Sequence, residues 1–386
     1  MIPGALRIIA VIAGFASPSL AMAAAKIDYM TAPFKMERVL DWGNRPDWSA
    51  DGKRIAFTES DVRITPGYEI DLTTRKVRCL TCHLGEEKTV TRIYYLPGGG
   101  FLVLAPKRPG SDGKRPVYPQ ELFWMSAALG PLQRLDAPAF GEIAISRMPG
   151  ANGAVKLAWG DASDGRSLLR IGTLTVRQGQ AVLDNRTVLY EAGSAKAPRE
   201  MTVAEAYGFA DDDKSVTFYT ILKRDRLLDD EMVKVDVASG KVSALYTDPA
   251  HTETHLFPDE AFGLEESNRA SDPDGKWRGL SSHPASFMSF MAKRTGMDLP
   301  SADDLKDYAP YGRLKGFDRP FDLYAVQVDM ARPPRRLTNV SDLGATAHQS
   351  VIAPDGRHVA FAITSRSSPE LAGNGGLYVG TFGAKR

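Results

Sequence analysis

The sequence predicts an all-β fold of many short strands, and three features point there. Turn formers are frequent, with 35 Gly and 25 Pro among 386 residues, a density that favours short elements between tight corners. An Asp-Gly turn followed by an alternating apolar run stands near both ends of the chain. A strand–turn–strand unit then recurs between them, so the elements read as copies of one repeat.

The first element is not part of that repeat. Residues 1–23 carry Arg7 near the amino terminus, an apolar run from Ile8 to Phe15, a break at Pro18 and small residues around Ala21-Met22-Ala23. This is the pattern of a cleavable signal peptide, and its apolar run is too short to anchor in a bilayer. The expectation is a periplasmic or secreted protein with no membrane span after cleavage. Forty-eight basic against forty-seven acidic residues leave no positive excess for nucleic acid.

The repeat opens at Arg45–Phe57, which contains Asp51-Gly52-Lys53 and the strand Arg54–Phe57. Its counterpart is Ile352–Phe361, with Asp355-Gly356-Arg357, and a degenerate copy is Gly208–Phe218, with Asp211-Asp212-Asp213-Lys214. Asp-Gly supports the positive backbone angles of a two-residue hairpin, and the alternation buries one face of the outgoing strand. The second half-unit spans Tyr68–Thr81, Met232–Tyr246 and Leu323–Thr338, each closing on a leucine followed by Thr or Tyr.

These residues resemble the TolB-type, WD40-like propeller repeat: a Pro-Asp-Gly-Lys turn, a strand ending in Ala-Phe, a strand of the form Leu-Tyr-x-x-Asp, and a closing Leu-Thr. The resemblance implies four-stranded antiparallel blades arranged radially, each covering its neighbour's apolar face. Spacing then divides residues 45–386 into six blades, at about 45–82, 87–137, 139–192, 199–248, 251–340 and 345–382. Residues 24–44 are an N-terminal segment able to supply a ring-closing strand. The fifth span is overlong, and a further turn at Pro273-Asp274-Gly275-Lys276-Trp277 leaves seven blades open. It also holds an insertion, about 278–318. A helix is expected from Pro284 to Thr295, with Phe287, Phe290 and Met291 on one face, and a capping pair Ser301 and Asp304 starts a second.

The resemblance carries neither the α/β domain that precedes TolB propellers nor the hydrolase domain that follows those of peptidase relatives, since neither has room here. No Gly-x-Ser-x-Gly elbow occurs, so the peptidase chemistry lacks its nucleophile.

Cys79-Leu80-Thr81-Cys82-His83 matches the c-type haem pattern C-x-x-C-H and contains both cysteines of the chain. Leu80-Thr81 also occupies the closing position of the repeat, where Leu337-Thr338 and Leu245-Tyr246 stand. Haem attached at Cys79 and Cys82 with His83 as ligand is therefore one reading, and a Cys79–Cys82 disulfide at a blade terminus is the other. A ring so small constrains little of the unfolded chain.

Of the six histidines, His251 and His255 stand four apart and would share one face of a strand. Together with His348 and Gln349 they resemble the divalent-metal site of oligogalacturonate lyases, although no cationic sugar-acid site accompanies them. Acidic runs at Asp211–Asp213 and Asp229–Glu231 are expected at turns, where Asp serves the backbone. Arg332, Arg335 and Arg336 are expected as an exposed basic patch, and Trp42, Trp48, Trp124, Trp159 and Trp277 as blade core.

The reading is an exported, monomeric propeller without a cofactor, a non-catalytic module that binds a protein or small ligand at one end of its channel. The competing class is an enzyme: a haem redox protein using Cys79, Cys82 and His83, or a metal-assisted lyase using His251, His255 and His348.

Overall fold

The computed structural model describes residues 27–59, 65–106, 120–161, 167–192, 205–224, 227–246, 253–270, 320–365 and 376–383. The signal-peptide segment, His251, Trp277 with the second turn candidate, and the helical insertion lie outside these residues. Among the described residues, no helix is long and apolar enough to cross a membrane.

The chain is all-β and its sheets form a propeller arrangement. β1 (Phe34–Leu40) precedes a sheet of β2 (Asn44–Trp48), β3 (Arg54–Thr58), β4 (Thr65–Asp71) and β5 (Val77–Cys79), with β6 (Thr89–Val90) added against β4. A seven-stranded path follows through β7 (Arg92–Tyr95), β8 (Phe101–Pro106), β9 (Gln120–Met125), β10 (Gln133–Ile145), β11 (Val155–Asp161), β12 (Leu168–Arg177) and β13 (Gln180–Glu191). Next come four strands, β14 (Glu205–Ala210), β15 (Ser215–Arg224), β16 (Leu227–Asp236) and β17 (Val242–Ala244). Four more follow, β18 (Thr254–Leu256), β19 (Phe262–Ser267), β20 (Asp322–Gln327) and β21 (Arg335–Arg336). The final sheet joins β22 (Ala345–Ile352), β23 (His358–Ser365) and β24 (Gly376–Phe382) to β1, which pairs antiparallel with β24 from Phe34↔Phe382 onward.

Each closing leucine of the repeat does the same work. Leu80 N–H donates to Gly67 O (2.8 Å), Leu245 N–H to Met232 O (3.0 Å) and Leu337 N–H to Leu323 O (2.8 Å). Thr81 and Thr338 add a second tie, their hydroxyls accepting the N–H of Gly67 (2.9 Å) and Leu323 (3.0 Å). The Leu-Thr signature thus pins the short outer strand to its neighbour while the leucine is buried.

The Asp-Gly turns differ from the two-residue expectation. Ser49 N–H reaches Arg54 O (3.0 Å), and Ala353 N–H reaches His358 O (2.8 Å) in the last copy, so each loop holds four residues. Gly52 and Gly356 alone take positive φ, 66° and 65°. Asp51 instead stays in the ordinary region and accepts Lys53 N–H (3.1 Å) and the Ser49 hydroxyl (2.6 Å), closing the loop through its side chain. In the degenerate copy Asp211, Asp212 and Asp213 are all left-handed, at 54°, 55° and 62°, a costly conformation for L-residues.

Two other expectations are corrected, and one blade boundary is bridged by a strand. The chain passes 137–139 within β10, whose Gln133–Ala139 half pairs with β9 and whose Phe140–Ile145 half pairs with β11. Register shifts at Arg134/Pro138 and Phe140/Ile143 bend the strand between the two, as bulges do at sheet edges. Asp229–Glu231 lies within β16, opposite Thr220–Leu222, because that hairpin runs on past the predicted corner. The arginines form no free patch. Arg332 pairs with Asp28 (2.9 Å), Arg335 Nη1 donates to the carbonyls of Tyr29 (2.8 Å) and Ala32 (2.6 Å), and Arg336 bonds Asp322 and Asp342 (2.7 Å each). Guanidinium forks suit such multiple acceptors, and here they fasten the N-terminal segment to the sheet of β18–β21.

The core lies between sheets. Trp48, Ile55 and Phe57 meet Ala360 and Leu377; Ala56 and Leu80 meet Ile93 and Val103; Trp124 meets Trp159. Ala158 and Leu169 meet Val216 and Phe218, and Tyr219 and Met232 meet Tyr324 and Val326. Leu264 and Leu323 meet Val359 and Phe361, under a cap from Tyr29. Trp42 is half-buried and packs edge-on against Phe57 and Tyr68. Each sheet therefore buries both faces, as radial stacking requires.

Candidate functional site at the mouth of the channel

The first strand of each repeat runs along the axis, and side chains link these inner strands to one another. Tyr95 N–H on β7 donates to Asp47 Oδ2 on β2 (2.7 Å). The Tyr94 hydroxyl donates to Glu142 Oε2 on β10 (3.1 Å), and Arg92 forms an ion pair with the same carboxylate. Glu142 N–H donates to Glu205 Oε1 on β14 (2.6 Å). Tyr207 on β14 packs its ring on His255 of β18, with centroids 4.8 Å apart. Glu266 on β19 accepts the N–H groups of Gln349 (3.0 Å) and Ser350 (2.5 Å) on β22, and Trp48 Nε1 donates to Val351 O (3.3 Å), returning to β2.

Local backbone geometry explains why carboxylates serve here. Inner strands bulge between Asn44 and Asp47, Phe140 and Ile143, and His348 and Val351. The residues at the corners, Arg45, Gly141 and Gln349, are left-handed at φ 51°, 70° and 55°. A bulge takes N–H groups out of the ladder, and a buried donor needs another acceptor. Glu205 and Glu266 supply it from the neighbouring sheet.

Burial then governs charge. It raises Asp47 to about 7, against bonds from Tyr95 and Trp48 N–H that favour the carboxylate. Burial likewise raises Glu266 to about 7 and pushes Glu205 upward. Desolvation works against the Arg92 cation, but Glu142 beside it prevails and holds the guanidinium charged. Burial lowers His255 to about 4, so its imidazole is neutral at pH 7.

At the end where the inner strands finish, these groups surround a cavity of about 520 Å³, within the roughly 300–1,000 Å³ of small-molecule pockets. Asp47, Glu142, Arg147 and His255 line it beside apolar Ile143, Leu256 and Val351. Arg147 reaches across from the end of β10, its Nη2 donating to Ile352 O (3.2 Å). It is hemmed in by protein, which lowers its pKa, and yet it is open to solvent through the cavity. Its remaining N–H groups and both ring nitrogens of His255 meet no protein partner among the described residues. Such an arrangement can bind and orient a ligand that carries both charge and apolar surface.

Of the histidines and cysteines singled out in the sequence, His255 reaches this mouth among the described residues, and Trp48 and the turn residues Asp212 and Asp213 also line it. His348 points its Nε2 at Thr364 Oγ1 (3.3 Å), and among the described residues no group of three His, Cys, Asp or Glu could hold a metal ion. Cys79 and Cys82 are joined, with Cα atoms 5.7 Å apart, on the outer strand and the 3₁₀ turn after it. His83 is exposed beside them. Asp47, Glu142 and Arg147 were not foreseen. Asp47 was visible as the acidic residue just before Trp48 in the first repeat, but Glu142 sits in a copy with no Asp-Gly turn to place it.

No protein-family model matches the chain, and no curated protein is similar enough to match. Among solved structures, it is similar to a putative TolB from Agrobacterium tumefaciens at 14% identity and a TM-score of 0.43, covering 82% of this chain and 97% of that one. A calcium-binding protein described as regucalcin, also from Agrobacterium tumefaciens, is 10% identical with a TM-score of 0.46, covering 92% and 96%. An oligogalacturonate lyase from Vibrio parahaemolyticus is 10% identical with a TM-score of 0.45, covering 88% and 78%. Likenesses of this size carry nothing about ligand or chemistry.

Proposed function

We propose that the protein is an exported six-bladed propeller that acts as a non-catalytic module binding a small polar ligand in the mouth cavity. One observation carries the reading: a cavity of about 520 Å³ lined by the Arg147 guanidinium, tied only to the Ile352 carbonyl, and by His255, whose ring nitrogens have no hydrogen-bond partner among the described residues. Convergent polar groups with hydrogen-bonding capacity to spare, set beside apolar walls, are what a small ligand completes.

Six blades follow if β10 serves two of them, its first half closing β7–β9 and its second opening β11–β13. The sheet of β22–β24 with β1 is then the blade that closes the ring. In this reading the Cys79–Cys82 pair is the structural disulfide of a blade terminus, and the pairing of its sulfurs supports that over haem attachment.

The test is a thermal-shift screen of the mature protein against amines, acids, sugars and zwitterions, followed by titration of Trp48 fluorescence. A ligand at one hundred times its Kd should stabilise the fold by about 2.7 kcal/mol. Arg147→Gln should remove that shift while leaving the unliganded Tm in place. A screen in which no class shifts the protein, or a ligand indifferent to Arg147→Gln, refutes the mouth as the binding site.

A further inference from the structure

The mouth presents a guanidinium and a carboxyl group that form no ion pair with each other among the described residues. Burial raises that carboxyl to about 7, and a cation brought to it favours its ionised form. Arg147 enters from the segment after β10 and is tied only to the Ile352 carbonyl. Asp47 enters from β2 and is held by Tyr95 N–H, with no cation in ion-pair contact among the described residues. Both line the same cavity, and each feels the other's field. The other carboxylates lining the cavity are already committed: Glu142 to Arg92 and the Tyr94 hydroxyl, Asp213 to the Ser146 hydroxyl and Lys156, Asp212 to Lys214, and Glu260 to the Asp211 N–H.

This separation limits what fits. A purely anionic ligand seated on Arg147 would also face Asp47 and Glu142, and a purely cationic one seated on Asp47 would face Arg147. Like charges brought together in an enclosed site cost several kcal/mol, so ligands of one sign are rejected from both directions. The apolar side chains of Ile143, Leu256 and Val351 line the same space and suit an aliphatic group.

We infer that the mouth cavity binds a zwitterion, an α-amino acid or a dipeptide with an apolar side chain, its carboxylate on Arg147 and its ammonium on Asp47. This rests on the mouth being a ligand site and names the class of that ligand. A guanidinium and a carboxylate form two parallel hydrogen bonds, and four of the five Arg147 N–H groups remain for them once the Ile352 carbonyl has taken one. His255, neutral and without a protein partner, offers one donor and one acceptor to the peptide or amine group.

Calorimetric titration with leucine and leucyl-leucine, each as the free zwitterion, the N-acetyl form and the C-terminal amide, tests the assignment. The free form should bind, and capping either end should weaken it at least roughly tenfold, about 1.4 kcal/mol. Asp47→Asn should abolish the difference between free and acetylated forms, and Arg147→Gln the difference between acid and amide. Arg147→Lys, which keeps the charge without the fork, should restore part of the acid preference. The comparison of leucine with leucyl-leucine identifies which of the two is held. Equal binding of capped and free forms, or binding of another class alone, overturns the zwitterion and leaves the mouth as a ligand site. Binding of nothing by the folded protein overturns both.

Discussion

Gly141 is conserved by geometry within this molecule even though its backbone conformation does not demand glycine. Arg45 and Gln349 occupy the same bulge corner with positive φ and carry full side chains, so the left-handed conformation costs only about 1 kcal/mol there. What differs is Glu205. A Cβ on Gly141 would lie 2.6 Å from Glu205 Cγ and closer still to its carboxyl group. Gly141→Ala must therefore move Glu205, and Glu142 N–H then loses the acceptor it now has at 2.6 Å. An unsatisfied buried donor costs about 1–3 kcal/mol, and the strain of overpacking about 1–3 more. The sum, about 2–6 kcal/mol, should appear in urea unfolding followed by tryptophan fluorescence. In a Glu205→Ala background the obstacle is gone, and the same Gly141→Ala change should cost only the backbone term. The coupling between the two sites is thus at least about 2 kcal/mol. Equal costs in both backgrounds would refute the argument that Glu205, rather than φ, dictates glycine.

Two further outcomes concern titration and the disulfide. Asp47 and Glu266 stand at about 7 in the fold, above their unfolded values near 4, so the folded chain holds protons that the unfolded chain releases. Stability should fall as pH rises from about 4 to 7, by up to about 1.4 kcal/mol per pH unit for each group. His255, lowered by burial to about 4 from the ordinary histidine value of 6.5, opposes this between those two values. Asp47→Asn and Glu266→Gln should each flatten the decline of Tm between pH 5 and 7, and an unchanged slope would sink the assignment. For the Cys79–Cys82 pair, a ring spanning so few residues gives roughly 2 kcal/mol in the chain-entropy model. The double serine variant should lose about that much, and the unreduced wild type should show no thiol to a colorimetric reagent. Two free thiols before reduction would refute the pairing.

Much of the architecture was legible because the repeat is written in residues with strong local preferences. Gly52 and Gly356 mark the loops, and Leu80, Leu245 and Leu337 mark identical hydrogen bonds three times over. The loop length was misread because Asp51 closes it by side-chain bonding, which the dipeptide alone does not reveal. The course of β10 was hidden for a different reason: its bulges place Pro138 and Gly141 inside a strand, where sequence patterns read them as breaks. Arg332 and Arg335 looked like part of a solvated patch since their acceptors, Asp28 and the carbonyls of Tyr29 and Ala32, lie some three hundred residues away in the chain. The mouth was the least legible part. Asp47, the pair Glu142 and Arg147, and His255 come from three separate repeats, and only the closing of the ring brings them to one cavity.

The strand β10 has a consequence for how the protein comes apart. Because Gln133–Ala139 and Phe140–Ile145 belong to one continuous backbone pairing with β9 and β11, neither neighbouring sheet can peel away without exposing an edge of the other. The stretch from β7 to β13 should open as a single foldon, its amide protons exchanging with solvent at one common free energy. The sheet of β14–β17, which shares no strand with its neighbours, is free to open on its own.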